Sequence, residues 1–165
     1  MRLIIGFAAS VALLCGTANA APSASDAKMI ATVDAEQART LGLLETMVNQ
    51  NSGSRNLDGV RRLRDIVVPE FTALGFTSRW IPMEQTGRAG HLVLTHKGRK
   101  GARKLLLIGH LDTVFEPDSP FQRYVLNGDK ATGPGVGDDK GGIAVIVAAV
   151  RAMQAAGTQI GRAHV

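Results

Sequence analysis

The chain has 165 residues, of which 45% are hydrophobic and 4% aromatic, and its formal net charge is +5 at pH 7. This length suffices for one modest domain with a packed core, and the composition argues against a disordered chain. The single cysteine excludes an intrachain disulfide and a metal site built from several thiolates. The basic residues form small clusters without interleaved aromatic side chains, so we expect no nucleic-acid partner.

The first 20 residues have the pattern of a secretory signal peptide. A basic residue precedes an apolar run that ends at Leu14, and residues 18–20 (ANA) form an A-x-A cleavage site. We predict cleavage after Ala20, which removes Cys15, and an exported protein of the periplasm or the medium. The residue before Cys15 is not small, which disfavours a lipid anchor, and the apolar run is too short to span a bilayer. We expect no membrane association after cleavage, and residues 21–33 are predicted to be a mobile leader.

The folded domain is expected to span residues 34–159 and to begin with two amphipathic helices. Apolar residues recur with helical spacing over residues 34–50, where Asp34 is a candidate N-cap. A second helix is predicted over residues 58–74, and Pro69 should kink or interrupt it. The polar stretch between the two helices has the composition of a loop.

Three strands should follow, over residues 76–83, 91–96 and 105–108. The third contains a continuous apolar run, LLLI, which is typical of a strand buried on both faces of an α/β sheet. A short strand over residues 121–126 and a helix over residues 139–156 complete the pattern. This order predicts a mixed sheet with helices packed against it, and hence an α/β fold.

Two polar side chains with chemical potential follow the third strand. The apolar run stops at Gly109 and delivers His110 and Asp112 to the carboxyl end of the strand, where open α/β sheets place their sites. A histidine there is often a hydrogen-bonded core residue, but an unpaired buried aspartate is costly. Alternation along an extended segment returns residues 110 and 112 to one side. The carboxylate could then accept the ring N–H that is not on a metal, which favours a metal site.

A second acidic motif, GPGVGDDKGG at residues 133–142, opens the last helix. Its glycines at 133, 135 and 137 permit positive φ and close approach, which would place Asp138 in a crowded site. A carboxylate there could bridge two metal ions. Asp138 and Asp139 also suit a helix start, as an N-cap and a first-turn acid. The glycines could instead form an anion nest, but the P-loop pattern is absent and two aspartates would repel a phosphate.

GHLDTV at residues 109–114 and GPGVGDDKGG together resemble motifs of the co-catalytic zinc peptidases of the glutamate carboxypeptidase, aminoacylase and succinyl-diaminopimelate desuccinylase type. The chain is most similar to the glutamate carboxypeptidases, over residues 35–157. This resemblance implies that residues 34–159 form the N-terminal part of a metallopeptidase catalytic domain. The implied fold is a three-layer α/β sandwich with a mixed, mainly parallel sheet flanked by helices. The chain would stop before the rest of the catalytic domain and the dimerisation domain.

The resemblance also implies a role for each matching residue. His110 would be a ligand of one metal ion, Asp112 the catalytic residue that orients this histidine, and Asp138 the carboxylate that bridges two ions. A cis peptide bond is implied between Asp138 and Asp139, and Asp139 itself is not a ligand. The expected cofactors are two Zn²⁺ ions, with Co²⁺ or Mn²⁺ as alternatives. We do not expect His91 or His96 to be ligands, because strand edges and surface turns account for them.

The implied activity is metal-dependent hydrolysis of an amide or peptide bond in a small peptide or an N-acyl amino acid. The full-length protein is expected to be a homodimer. In the family the general base, from a Glu-Glu pair, and further acidic and histidine ligands follow the region matched here, so we expect this chain alone to bind metal weakly and to be inactive. Two alternatives stay open: an N-acyl amino acid amidohydrolase of the same family, and a non-catalytic exported α/β binding domain that uses the GPGVGDD loop.

The last residues raise a separate hypothesis. Residues 160–165 (IGRAHV) can be back-translated as ATC GGA AGA GCA CAC GTC, which resembles read-through into a common sequencing-library adapter. We therefore predict that the natural gene continues past Gln159 and that residues 160–165 are a non-native tail. His164 is accordingly excluded from the candidate site.

Overall fold

The computed structural model describes residues 21–98, 101, 104–158 and 163–164. The predicted signal peptide and most of the predicted tail lie outside these residues. The described helices are α1 (Ala24–Ala35), α2 (Gln37–Asn49), α3 (Leu57–Thr72) and α4 (Lys140–Ala155), with a short 3-10 helix at Glu84–Thr86. The strands are β1 (Thr77–Pro82), β2 (Gly90–His96), β3 (Leu105–Leu106), β4 (Val125–Asn127), β5 (Lys130–Thr132) and β6 (Ala163–His164). None of the described helices is long and apolar enough to cross a bilayer.

The segment predicted as a leader, residues 21–33, is instead helical from Ala24. Ser23 caps α1 with a capping box, because its side chain accepts from the backbone N–H of Asp26 at 3.1 Å and the Asp26 carboxylate accepts from the backbone N–H of Ser23 at 3.2 Å. The sequence interpretation missed this helix because it has no apolar stripe, and none of its residues is buried. It lies against α4.

Helices α2 and α3 confirm the two predicted amphipathic helices, with shifted ends. Asp34 lies within α1 and does not cap α2. α3 is capped by Asn56, whose side chain accepts a hydrogen bond from the backbone N–H of Gly59 at 3.0 Å. It continues through Pro69 to Thr72, so the proline does not end the helix.

One hydrophobic core joins α2, α3 and α4 to the sheet through Phe76 and Leu94. The rings of Phe71 and Phe76 meet edge to face with centroids 5.4 Å apart. The predicted stripe of α4 is confirmed, since its core-facing side chains are buried or partly buried. Its members are Ile143, Ile146, Val147, Val150 and Met153. Because the three helices share this core, they form one layer on one side of the sheet.

The main sheet has the strand order β1-β2-β6-β3. β1 pairs with β2 and β2 with β6 antiparallel, whereas β3 pairs with β6 in parallel. The predicted mixed α/β sheet is thus confirmed, but the parallel pairings expected to dominate are the minority among the described strands. The short connection from β1 to β2 can return only antiparallel, and a parallel pair needs a crossover such as α4.

The strand predicted over residues 105–108 is shorter and more exposed than its apolar run indicates. β3 comprises Leu105–Leu106, and the side chains of Leu106 and Ile108 are 65% and 81% exposed. Burial on both faces requires a helical layer on each side of the sheet. The described helices supply a layer on one side only, so the expected burial is wrong for this part of the chain.

The remaining predicted elements are present. α4 confirms the helix expected over residues 139–156, and Gly157 follows it with a φ of 68°. The strand predicted over residues 121–126 begins later, as β4, and forms a separate antiparallel hairpin with β5. Gly128 lies in the turn of this hairpin with a φ of 61°.

Candidate metal centre

The segment that follows β3 is fixed by a loop from the start of the domain. The backbone N–H of Ser54 donates to the carbonyl of Thr113, and the N–H of Thr113 donates to the carbonyl of Ser52, both at 2.9 Å. These bonds form an isolated parallel bridge between Gly53 and Thr113. The polar loop over residues 51–56 therefore lies directly beside His110 and Asp112, which the sequence did not indicate.

The His110 ring lies between two oxygen atoms. Its Nε2 is 2.8 Å from Oδ1 of Asp138, and its Nδ1 is 2.9 Å from the backbone carbonyl oxygen of Asp112. A neutral imidazole carries only one N–H, so it can donate to only one of these acceptors. The nitrogen that carries no N–H can face its oxygen favourably only if a second proton or a metal cation lies between the two atoms.

The electrostatics of His110 agree with that geometry. Burial lowers the pKa of His110, but the hydrogen bonds to Asp138 and to the Asp112 carbonyl and the two nearby carboxylates outweigh it and raise the pKa above its ordinary value. The pocket thus favours positive charge at this ring.

Asp112 contacts the ring differently from the prediction. The expected contact was ring N–H to carboxylate, whereas the nearer acceptor is the backbone carbonyl, and Oδ1 of Asp112 lies 3.4 Å from Nδ1. The other carboxylate oxygen, Oδ2, accepts a hydrogen bond from Oγ of Ser54 at 2.5 Å. Asp112 therefore supports the ring with both its backbone and its side chain.

The Asp138–Asp139 peptide bond is cis, as the resemblance implied. The Asp138 side chain is 89% exposed and contacts His110, whereas Asp139 is partly buried. Oδ2 of Asp139 accepts a hydrogen bond from the backbone N–H of His110 at 3.3 Å. A Cβ on Gly109 would lie 2.6 Å from that oxygen, and one on Gly142 would collide with the same carboxylate. Asp139 thus holds the backbone of His110, a role that the sequence interpretation missed although these glycines were a signal for it.

Lys140 is fully buried at the start of α4. Its Nζ donates to the backbone carbonyl of Gln50 at 2.9 Å, and burial lowers the pKa of its ammonium group to about 8. Gly133 and Gly135 have positive φ, as predicted, and a Cβ on Gly135 would lie 2.9 Å from Cδ of Lys140. Gly137 has neither a positive φ nor a close neighbour, so its predicted role is wrong.

The His110–Asp138 pair fits a divalent metal ion. Imidazole nitrogen and carboxylate oxygen are ligands suited to zinc, cobalt and manganese. Two ligand atoms of one tetrahedral zinc lie about 3.4 Å apart, and the observed 2.8 Å is short of that by about half an ångström. The exposed Asp138 side chain is free to make this adjustment. No group of three or more His, Cys, Asp and Glu side chains that could hold an ion occurs among the described residues.

Comparison with known proteins agrees with both motifs. Residues 106–165 match the family model described as Peptidase family M20/M25/M40. Carboxypeptidase G2 of Pseudomonas sp. (strain RS-16) is 32% identical over 162 residues, which cover 96% of this chain and 38% of that relative. Over these residues the chain is similar to the M20/M25/M40 peptidase family. Both matches agree with the family resemblance that the two motifs carry.

Solved structures agree with the fold of this chain. Human carnosine dipeptidase 1 superposes with a TM-score of 0.74 at 18% identity, over 87% of this chain and 34% of that one. The di-peptidase Dug1p of Saccharomyces cerevisiae gives a TM-score of 0.70 at 16% identity, over 84% and 33%. The chain thus spans between a third and two-fifths of the length of these proteins.

Proposed function

We propose that the full-length protein is an exported, zinc-dependent exopeptidase of the glutamate carboxypeptidase type. It hydrolyses an amide bond beside a free carboxylate in a small peptide or an N-acyl amino acid. The match of residues 106–165 to the M20/M25/M40 family model and the similarity to a protein named Carboxypeptidase G2 support this reaction class. The single observation that carries the proposal is the 2.8 Å approach of Nε2 of His110 to Oδ1 of Asp138, which brings the two sequence motifs together.

Each site residue has a distinct task in this proposal. His110 and Asp138 would hold metal. When bound, the metal polarises the amide carbonyl and lowers the pKa of a water molecule. The backbone carbonyl of Asp112 accepts the Nδ1 proton, which fixes the tautomer and leaves the Nε2 lone pair for the metal. Asp139 holds the backbone of His110 so that the ring keeps its place.

The proposal extends to the setting of the enzyme. The signal-peptide pattern supports a periplasmic or secreted protein, and the family resemblance supports two Zn²⁺ ions, with Co²⁺ or Mn²⁺ as alternatives, and a homodimer. Two ligands without a general base do not make a hydrolytic centre, so we expect residues 21–159 alone to bind metal weakly and to show no turnover.

Calorimetric titration of residues 21–165 with Zn²⁺ tests the site. His110→Ala and Asp138→Asn should each lower the affinity by at least about tenfold. The control Asp129→Asn changes an exposed carboxylate outside the site and should bind as the parent chain does. Far-UV circular dichroism verifies that each variant is folded. Unchanged affinity in both site variants would contradict the proposed centre.

The reaction class is tested on the intact gene product. Metal-dependent release of glutamate from acyl-glutamates supports the carboxypeptidase assignment, whereas preference for other N-acyl amino acids would replace it with the amidohydrolase alternative. Absence of hydrolysis by a zinc-loaded full-length protein on both substrate sets would contradict an enzymatic function and favour the binding domain.

A further inference from the structure

The loop over residues 51–56 is attached to the segment after Asp112 by contacts beyond its backbone bridge. The Asn51 side-chain amide donates to the carbonyl of Phe115 at 3.0 Å. The backbone N–H of Arg55 donates to Oε1 of Glu116 at the same distance. These bonds hold the loop at Asn51 and at Arg55, so a side chain between them has a defined position.

Gly53 permits this close approach. A Cβ on Gly53 would lie 2.8 Å from the Cα of Glu116, which leaves no room for any side chain. The next residue, Ser54, therefore points its hydroxyl at Asp112. Among the described residues, Ser54 donates a hydrogen bond to the Asp112 carboxylate, with Oγ 2.5 Å from Oδ2. The carbonyl of Thr113 lies farther from the same Oγ, at 3.2 Å.

This hydrogen bond determines where the carboxylate points. A hydroxyl has one proton, and the nearer, charged acceptor is the stronger partner for it. Holding Oδ2 at Ser54 leaves Oδ1 directed at the ring of His110, 3.4 Å from Nδ1. The Asp112 side chain is 40% exposed, so without Ser54 it could turn toward water.

We propose that Ser54 is a positioning residue of the metal centre, whose hydroxyl holds the Asp112 carboxylate beside the His110 ring. The inference rests on the proposed function, because it requires His110 to be a metal ligand. The described hydrogen bonds of the Ser54 hydroxyl go to Asp112 and Thr113, so in this proposal Ser54 acts on the ring through Asp112. Its loss should therefore weaken metal binding only where Asp112 is present.

The test is the Zn²⁺ affinity of residues 21–165, measured by competition with a chromophoric chelator. Ser54→Ala should weaken binding by about tenfold, as is typical for the loss of a group that supports a ligand. Ser54→Thr keeps the hydroxyl and should stay within about twofold of the parent chain. Ser52→Ala is the matched control in the same loop, because its buried Oγ has no hydrogen-bond partner among the described residues.

A double-mutant cycle separates positioning from a general structural role. In the Asp112→Ala background, Ser54→Ala should cause no further loss of affinity, whereas a structural defect would weaken both backgrounds equally. Parent-like affinity in Ser54→Ala, or equal losses in both backgrounds, would overturn the inference. The proposed function fails by a different result, namely parent-like Zn²⁺ binding in His110→Ala.

Discussion

Lys140→Met is expected to remove a large part of the pH dependence of stability. The ammonium group of Lys140 is fully buried, and burial lowers its pKa from 10.5 to about 8. Between these values the unfolded chain binds more protons than the folded chain. The free energy of unfolding therefore rises with pH across this window, since it rises wherever the unfolded state binds more protons.

The size of this effect follows from the pKa difference. Each unit of difference is worth about 1.4 kcal/mol, so Lys140 should raise the free energy of unfolding by about 2 to 3 kcal/mol between pH 7 and pH 10. Methionine has a similar length and no titrating group, so the variant should lack this increment. At either pH, the variant also leaves the carbonyl of Gln50 without the Lys140 donor, which lowers stability by a constant amount and does not affect the difference.

The assay is urea unfolding of residues 21–165 at the two pH values in the presence of a chelator, followed by far-UV circular dichroism. The measured quantity is the increase in the free energy of unfolding from pH 7 to pH 10 in the parent chain, minus the same increase in Lys140→Met. Lys130→Met, which changes an exposed lysine on β5, is the control and should keep the parent increment. Equal increments in the parent and in Lys140→Met would refute the reasoning.

Three further predictions concern packing, ion pairing and the loop, and each is measured against the parent chain. Leu63→Ala removes a fully buried side chain and should lower the free energy of unfolding by about 2–5 kcal/mol in urea. Arg151→Met removes the bidentate partner of Glu36 and should cost about 1 kcal/mol at neutral pH. Gly53→Ala should displace the loop and accelerate hydrogen exchange of the Ser54 amide.

Each of these predictions has a result that would contradict it. Val145→Ala, at a 65% exposed position, is the control for Leu63 and should cost less than about 0.5 kcal/mol, so equal losses would oppose the packing argument. The hydrogen bond from Arg151 lowers the pKa of Glu36, so the pair stabilises the fold above pH 4.5 and this contribution is lost as the pH falls further. A loss in Arg151→Met that persisted in acid would exclude the ion pair as its cause. Parent-like exchange in Gly53→Ala would show that the loop has room for a side chain.

Local patterns in the sequence were sufficient for much of the fold. The apolar stripe of α4 and the strands around residues 77–82 and 90–96 were predictable because their side-chain periods match helix and strand geometry. α1 was not, because it buries no side chain and depends on a capping box and on contact with α4. The burial of β3 was predicted wrongly, because an apolar run shows which side chains could be buried but not whether helices cover both faces of the sheet.

The candidate site shows the same division. His110, Asp112 and Asp138 were predicted from two motifs, and the structure brings them together. The Ser54–Asp112 hydrogen bond was not predictable, because it joins residues 58 positions apart and sequence spacing carries no information about such contacts. Burial of Lys140 was also missed, since lysines are seldom buried without a partner and its acceptor is a backbone carbonyl.

The convergence of His110 and Asp138 on one cation is tested most directly by anomalous diffraction. Crystals of residues 21–165 grown with excess Zn²⁺ would be measured on both sides of the zinc absorption edge. We predict an anomalous peak at bonding distance, about 2.0–2.2 Å, from both Nε2 of His110 and a carboxylate oxygen of Asp138. The account would be contradicted if the side chains of His110 and Asp138 were well ordered with no anomalous peak between them, or if zinc bound only elsewhere on the chain.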